Sequence, residues 1–138
     1  MNNLETKNNT LNTSNKYIQI TLKGLPKISL NKWYSGEHWT IRNKLKETYI
    51  WIVKSQFKDV LSKANVYECE YTFTFKSKPL DASNTIAMVK MIEDIIFEDD
   101  KWDVVTKISI SSIKGIEDIV DIKIKVDAAK HTDKLIKD

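Results

Sequence analysis

Residues 67–100 read YECEYTFTFKSKPLDASNTIAMVKMIEDIIFEDD, a strand pattern followed by a helix pattern. Tyr67, Cys69, Tyr71, Phe73 and Phe75 alternate with Glu68, Glu70, Thr72 and Thr74, so a pleated strand over Tyr67 to Lys76 turns one set to each face. Pro79 stops that run. From Asn84 to Phe97 the period changes. At about 100° per residue, Met88, Val89, Met91, Ile92, Ile95 and Ile96 share one arc, and Ala87, Lys90, Glu93, Asp94 and Glu98 fall on the other side. Lys90 and Asp94 form an i,i+4 pair. Asp81 or Ser83 is placed to accept hydrogen bonds from the first free N–H groups of the helix. A strand with one apolar face, followed by a helix with one apolar face, predicts a sheet with helices laid against it.

The flanking sequence extends the same pattern. Tyr17-Ile18-Gln19-Ile20-Thr21-Leu22 alternates and reads as a strand ended by Gly24 and Pro26. Lys27 to Trp39 reads as a loop that carries Asn31, Trp33, Tyr34, Gly36, His38 and Trp39. A long helix follows, from His38 or Thr40 to about Lys63. Its predicted buried stripe is Ile41, Leu45, Tyr49, Ile52, Val53, Phe57, Val60 and Leu61, with Arg42, Lys44, Lys46, Lys54 and Lys58 mainly away from it. Asp103 to Lys114 and Ile116 to Val126 read as two strands, with Ile108, Ile110, Ile122, Ile124 and Val126 facing inward and Gly115 turning between them as an antiparallel hairpin. The expected fold class is α+β (α/β in the loose sense), a mixed four-stranded sheet with two main helices packed on one face. The alternation leaves the second sheet face at least partly polar. Residues 1–16, rich in Asn and Thr, read as a disordered tail, 17–126 as a single domain, and 127–138 as a polar tail with a weak terminal helix.

A chain of 138 residues, 41% hydrophobic and 30% charged, is long enough for one domain with a proper core. It has no apolar run of membrane-spanning length and no basic-then-apolar N-terminal pattern, so a cytoplasmic protein with no membrane partner is expected. One cysteine excludes an intramolecular disulfide and, with two histidines, a cysteine/histidine zinc site; Cys69 reads as a small core side chain. No glycine-rich phosphate loop is present, so no nucleotide cofactor is expected. The net charge of +3 is mild, and nucleic-acid binding must come from clustered basic residues. Two readings of the aromatic loop stand open. Beside Lys27, Lys32 and Arg42 it can stack bases and contact phosphates, or Trp33 and Trp39 can pack on the sheet edge and leave only polar groups outside.

The acids also carry two readings. Asp81 at one end of the helix and Glu98-Asp99-Asp100 at the other can converge on a divalent cation if the chain turns back after Phe97, because Mg²⁺ takes oxygen ligands and needs only one or two carboxylates plus water and phosphate. The same residues also suit a helix cap and a solvated turn. The order Asp81-x-x-Asn84, Lys90, Asp94, Asp99-Asp100 and then a β-type run with Val104 and Val105 resembles the RusA family of Holliday-junction resolvases. That pattern has D-x-D-N, a lysine, an acid four residues on, and a D-D pair followed by valine. Leu30-Asn31-Lys32-Trp33-Tyr34 is similar to the family's N-terminal S-x-N-x-x-Y/W signature. The resemblance spans roughly Tyr17 to Val126. Ser83 stands where the pattern has its second aspartate, Lys90 is displaced by one turn, and the Asp94-to-Asp99 segment is short.

The resemblance implies a Mg²⁺-dependent endonuclease (Mn²⁺ in its place) that cleaves four-way junctions or other branched DNA in recombination and repair, of phage or prophage type. It implies catalytic roles for Asp81, Lys90 and Asp100, and metal ligation by Asp81 and Asp100 with Asp99 or Asp94. It also implies a homodimer with two symmetric sites, and the apolar helix from Met88 to Ile96 is the candidate dimer surface. Lys27, Asn31, Lys32, His38, Arg42 and Lys44 are the candidate DNA contacts. Ser83 carries the alternative, a RusA-fold DNA-binding protein that has lost cleavage.

Overall fold

The computed structural model describes residues 11–12, 16–34 and 39–127. In chain order the elements are β1 (Leu11–Asn12), β2 (Tyr17–Lys23), α1 (Leu30–Tyr34), α2 (Trp39–Gln56), β3 (Val66–Phe75), a 3₁₀ turn (Ala82–Thr85), α3 (Ile86–Ile96), β4 (Val105–Lys114) and β5 (Ile119–Asp127). The fold is α+β with a mixed sheet. Four long strands run in the order β2-β5-β3-β4, and β1 adds a short fifth at the β2 edge. β5 is antiparallel to both β2 and β3, whereas β4 is parallel to β3.

The alternation in β3 sets the layers. Cys69, Tyr71 and Phe73 lie opposite Ile124, Ile122 and Val120 of β5, which in turn lie opposite Ile18, Ile20 and Leu22 of β2. All of these are buried. Across the other face, Glu68 and Glu70 stand opposite Lys125 and Lys123, pairs of opposite charge on a solvated surface. The two main helices cover the apolar face. Tyr49 and Val53 are buried from α2, and Met88, Val89, Met91, Ile92 and Ile96 from α3. Five members of the apolar arc of α3 are thus buried inside the protomer, and the sixth, Ile95, is half-buried. Among the described residues no helix is long and apolar enough to cross a membrane.

Four local expectations are corrected. The long helix stops at Gln56, about two turns early. The Gln56 side chain accepts from Lys23 N–H and donates to Lys23 C=O, pinning the helix end to the end of β2. The chain beyond it finds a different backbone partner: Leu61 N–H donates to Ile96 C=O and Glu98 N–H donates to Leu61 C=O. Phe57 is still buried, but Val60 and Ile41 are exposed. Within the aromatic segment, Leu30–Tyr34 is a short helix, capped by Ser29, whose hydroxyl accepts from Lys32 N–H at 3.1 Å.

The third correction concerns the last two strands, which do not form a hairpin with each other. β3 lies between β4 and β5, and the connection crosses the end of β3. There Gly115 N–H donates to Phe75 C=O, and Asp118 accepts from Lys76 N–H. This leaves β4 at the sheet edge, where Ile108 and Ile113 are exposed and Ile110 is half-buried. The fourth concerns capping: Asp81 precedes the 3₁₀ turn without a side-chain cap, Ser83 lies inside that turn, and the residue before α3 is Thr85, which makes no side-chain cap either. Of the two expected tails, Leu11 and Asn12 pair with Ile18 and Tyr17. The other tail residues before Lys16, and residues 128–138 with the expected terminal helix, lie outside the described residues.

Gly115 is held to the crossing by space. A Cβ there would sit 2.3 Å from Thr74 Cγ2, and the β-branched Thr74 has little rotamer freedom to yield. Gly115→Ala should therefore cost about 1–3 kcal/mol in urea unfolding, in the range of overpacking changes. The cost should shrink in a Thr74→Ser background, which removes the clashing methyl; equal costs in both backgrounds would disprove the contact.

Candidate functional site

α1 contacts both the 3₁₀ turn and α3, so the segment holding Asn31 and Lys32 is carried to the segment holding Asp81, Ser83 and Asn84. The turn is itself tied to the sheet edge, because Ser112 Oγ donates to Leu80 C=O. Lys27 and Arg42, both candidate DNA contacts, are used within the protein. Lys27 Nζ donates to Ser77 Oγ at 3.1 Å and to Lys78 C=O at 2.7 Å. The Arg42 guanidinium lies 5.2 Å from the Trp33 ring centre and donates to Trp33 C=O, which staples α1 to α2. Trp33 is half-buried against the core and Trp39 is exposed, so the two aromatics divide between the two readings. Asn31, Lys32 and Lys44 are exposed, and His38 lies outside the described residues.

The acids divide in the same way. Glu98 is structural: its carboxylate accepts from Lys63 N–H at 2.9 Å. Asp99 turns back to Lys101, accepting from its N–H at 3.1 Å with the ammonium at 3.8 Å. Asp81 is exposed, and its carbonyl rather than its carboxylate receives Asn84 N–H. Asp100 is brought to the middle of α3: its Oδ2 lies 3.9 Å from Lys90 Nζ, is buried and accepts no hydrogen bond. Asp94 shares this field. Burial raises its pKa first and the Asp100 charge next, with Lys90 and Lys46 opposing. Lys90, Asp94 and Asp100 thus form one electrostatic group, whereas Asp99 is directed elsewhere.

Glu93 is the member that the sequence pattern misplaced. The helical wheel puts it on the polar side, yet it is buried and accepts from the Tyr71 hydroxyl at 3.0 Å. The available signal was its neighbours: Val89 and Ile96, four before and three after, both belong to the apolar arc. Burial lifts its pKa to about 7. The Tyr71 hydrogen bond acts against the rise, Asp100 adds to it, Lys90 opposes and Asp94 adds.

The fit to a divalent cation rests on Asp100 and Asp94. Among the described residues no three His, Cys, Asp or Glu side chains are grouped to hold a metal ion, so Asp81, Asp94, Asp99 and Asp100 do not make a closed four-ligand set. Mg²⁺ needs only one or two protein carboxylates when water and phosphate complete the shell. Asp100 Oδ2 accepts no hydrogen bond and lies in the field of Lys90 and Asp94, so these two carboxylates are the ones such a cation could use. Comparison with protein-family models and with curated protein sequences finds no match to this chain.

The Glu93 shift has a thermodynamic consequence. A carboxyl whose folded pKa lies near 7, against an ordinary 4.5, holds its proton longer folded than unfolded. Its contribution is full below pH 4.5 and is lost as pH rises through 7, at a slope of up to about 1.4 kcal/mol per pH unit. Glu93→Gln should flatten the stability profile between pH 4.5 and 7, measured by urea unfolding across that range. An unchanged slope would show that Glu93 ionises freely.

Proposed function

We propose that this protein is a RusA-like, metal-dependent endonuclease that cleaves four-way junctions or other branched DNA in recombination and repair. The observation that carries the reading is Lys90 held 3.9 Å from the buried Asp100 oxygen, which accepts no hydrogen bond, with Asp94 in the same field. Of these, the resemblance assigns Lys90 and Asp100 to catalysis and Asp94 to metal ligation; Lys90 and Asp94 come from α3 and Asp100 from the segment after it. Asp100 and Asp94 would hold Mg²⁺ or Mn²⁺, which supplies an activated water and stabilises charge on the leaving oxygen. Lys90 neutralises charge that develops on the phosphate, a preorganised cation acting where charge appears. Exposed Asn31, Lys32 and Lys44 receive the DNA backbone. Two such sites in a homodimer would serve the two strands that a four-way junction requires to be cut.

A second reading has its own observation. Ser83 occupies the 3₁₀ turn beside Asp81, and no second carboxylate stands there. A RusA-fold protein that binds branched DNA without cutting it would look like this.

Incubation with a synthetic four-way junction and Mg²⁺ or Mn²⁺ separates the two. The nuclease reading expects cleavage, a loss of about a hundredfold or more in Lys90→Ala, and in Asp100→Asn no cutting but full junction binding. Ser83→Asp should raise activity by restoring a carboxylate beside Asp81. Junction binding with no cleavage by the parent or by Ser83→Asp would establish the second reading. Sedimentation at micromolar concentration should show a dimer with or without DNA, and a monomer in both states would exclude the two-site arrangement.

A further inference from the structure

α2 presents Lys46, Ile50 and Lys54 at spacings of four, one above another on a single side of the helix. α3 faces them with Met91, Asp94 and Ile95, and the two helices enclose an open cavity of about 300 Å³. Its floor is apolar and includes the buried ring of Tyr49, whose hydroxyl is already given to Pro26 C=O. Ile50 remains 49% exposed, so the protomer leaves this apolar surface uncovered. Lys46 and Lys54 line the α2 wall, and Asp94 lies in the α3 wall facing them.

This cavity asks for a ligand with an apolar planar body and anionic groups at intervals. We propose that the α2–α3 groove is a single-strand subsite, in which an unpaired nucleobase rests on Ile50, Met91 and Ile95 while Lys46 and Lys54 hold the phosphates on either side of it. The inference rests on the reading of the protein as one that acts on branched DNA. Charge complementarity selects the occupant: the lining pairs an apolar floor with two lysines against the single carboxylate of Asp94, a positive balance that favours a phosphodiester chain over a neutral ligand. Paired duplex keeps its base faces stacked inside and offers the groove only backbone, whereas an unpaired base has a free face. Asp94 belongs both to this groove and to the Lys90–Asp100 group, so a strand seated here runs directly to the candidate reacting phosphate.

The test is a methyl NMR titration of the full chain, labelled at Ile and Met, with a short single-stranded oligodeoxynucleotide in the presence of EDTA. Shifts should concentrate at Ile50, Met91 and Ile95 and spare Ile108 and Ile113 on β4. Lys46→Ala with Lys54→Ala should weaken binding tenfold or more and reduce the log–log salt slope by about 1.4, the value for two single-strand phosphates. Still methyls at saturating oligonucleotide would overturn the proposal. So would equal shifts with a duplex of the same length, which would make the groove a reader of backbone charge alone. Shifts that depend on protein concentration before DNA is added would assign the groove to a second copy and also overturn it. Cleavage, measured separately on a four-way junction, keeps the two readings apart. Groove binding without cutting leaves the subsite standing and removes the nuclease, whereas cutting with unmoved groove methyls does the reverse.

Discussion

The hydrogen bond from Tyr71 to Glu93 fixes how α3 lies on the sheet. Tyr71 is a fully buried member of the central strand, and Glu93 is a carboxyl taken out of water on the helix above it. A buried carboxyl without a donor would cost roughly 1–3 kcal/mol, so the pair holds the helix at one rotation. At that rotation Lys90 and Asp94, three before and one after Glu93, come to the exposed side of the helix. Asp100 then reaches Lys90 from the turn beyond Phe97. The placement of the candidate site therefore depends on a contact that belongs to the core.

The turn beyond Phe97 is held just as firmly. Leu61 bridges the end of α3 through two backbone hydrogen bonds, and Glu98 accepts from Lys63, so the segment 57–65 that fails to continue α2 instead braces the acidic run. The cost of ending a helix early is offset by backbone pairing elsewhere, consistent with the rule that buried N–H and C=O groups find partners. The Tyr67 and Phe97 rings, 5.0 Å apart, seal the same corner. Of the three consecutive acids, two are then spent locally and one, Asp100, is left with a buried oxygen that has no hydrogen-bond donor.

The far face of the sheet explains why the described helices form a single layer. Glu68 and Glu70 of β3 stand opposite Lys125 and Lys123 of β5, and Lys107 of β4 lies on the other side of Glu68. Thr21 donates to Asp121 in the same row at 2.9 Å. Such cross-strand pairs suit a wet surface, and covering them with a second layer would require desolvating every charge. The candidate residues Lys90, Asp94 and Asp100 lie on the helical side, away from this charged face.

Period and composition were enough to establish the strand at Tyr67, the strand at Tyr17, the α+β class, the burial of Cys69 and the single apolar face of the sheet. These follow from local alternation, which a pleated backbone converts directly into two faces. The resemblance in motif order named Lys90, Asp94 and Asp100 as candidates, while composition and spacing left Asp81 and Glu98-Asp99-Asp100 between a ligand set and a helix cap with a solvated turn. Tertiary structure decided what local pattern does not encode: which strand lies beside which, where α2 stops, and which charged groups are consumed. Gly115 reads as a hairpin turn in sequence but crosses the end of β3, because β5 pairs better between two strands with matching apolar rows than beside the largely polar β4. Arg42 and Lys27 read as free cations, yet an aromatic ring and backbone carbonyls lie within reach of each only after folding. Glu93 reads as a surface acid because a helical wheel records angle and not what stands above the helix. Its burial is set by Tyr71, twenty-two residues away in the chain and 3.0 Å away in space.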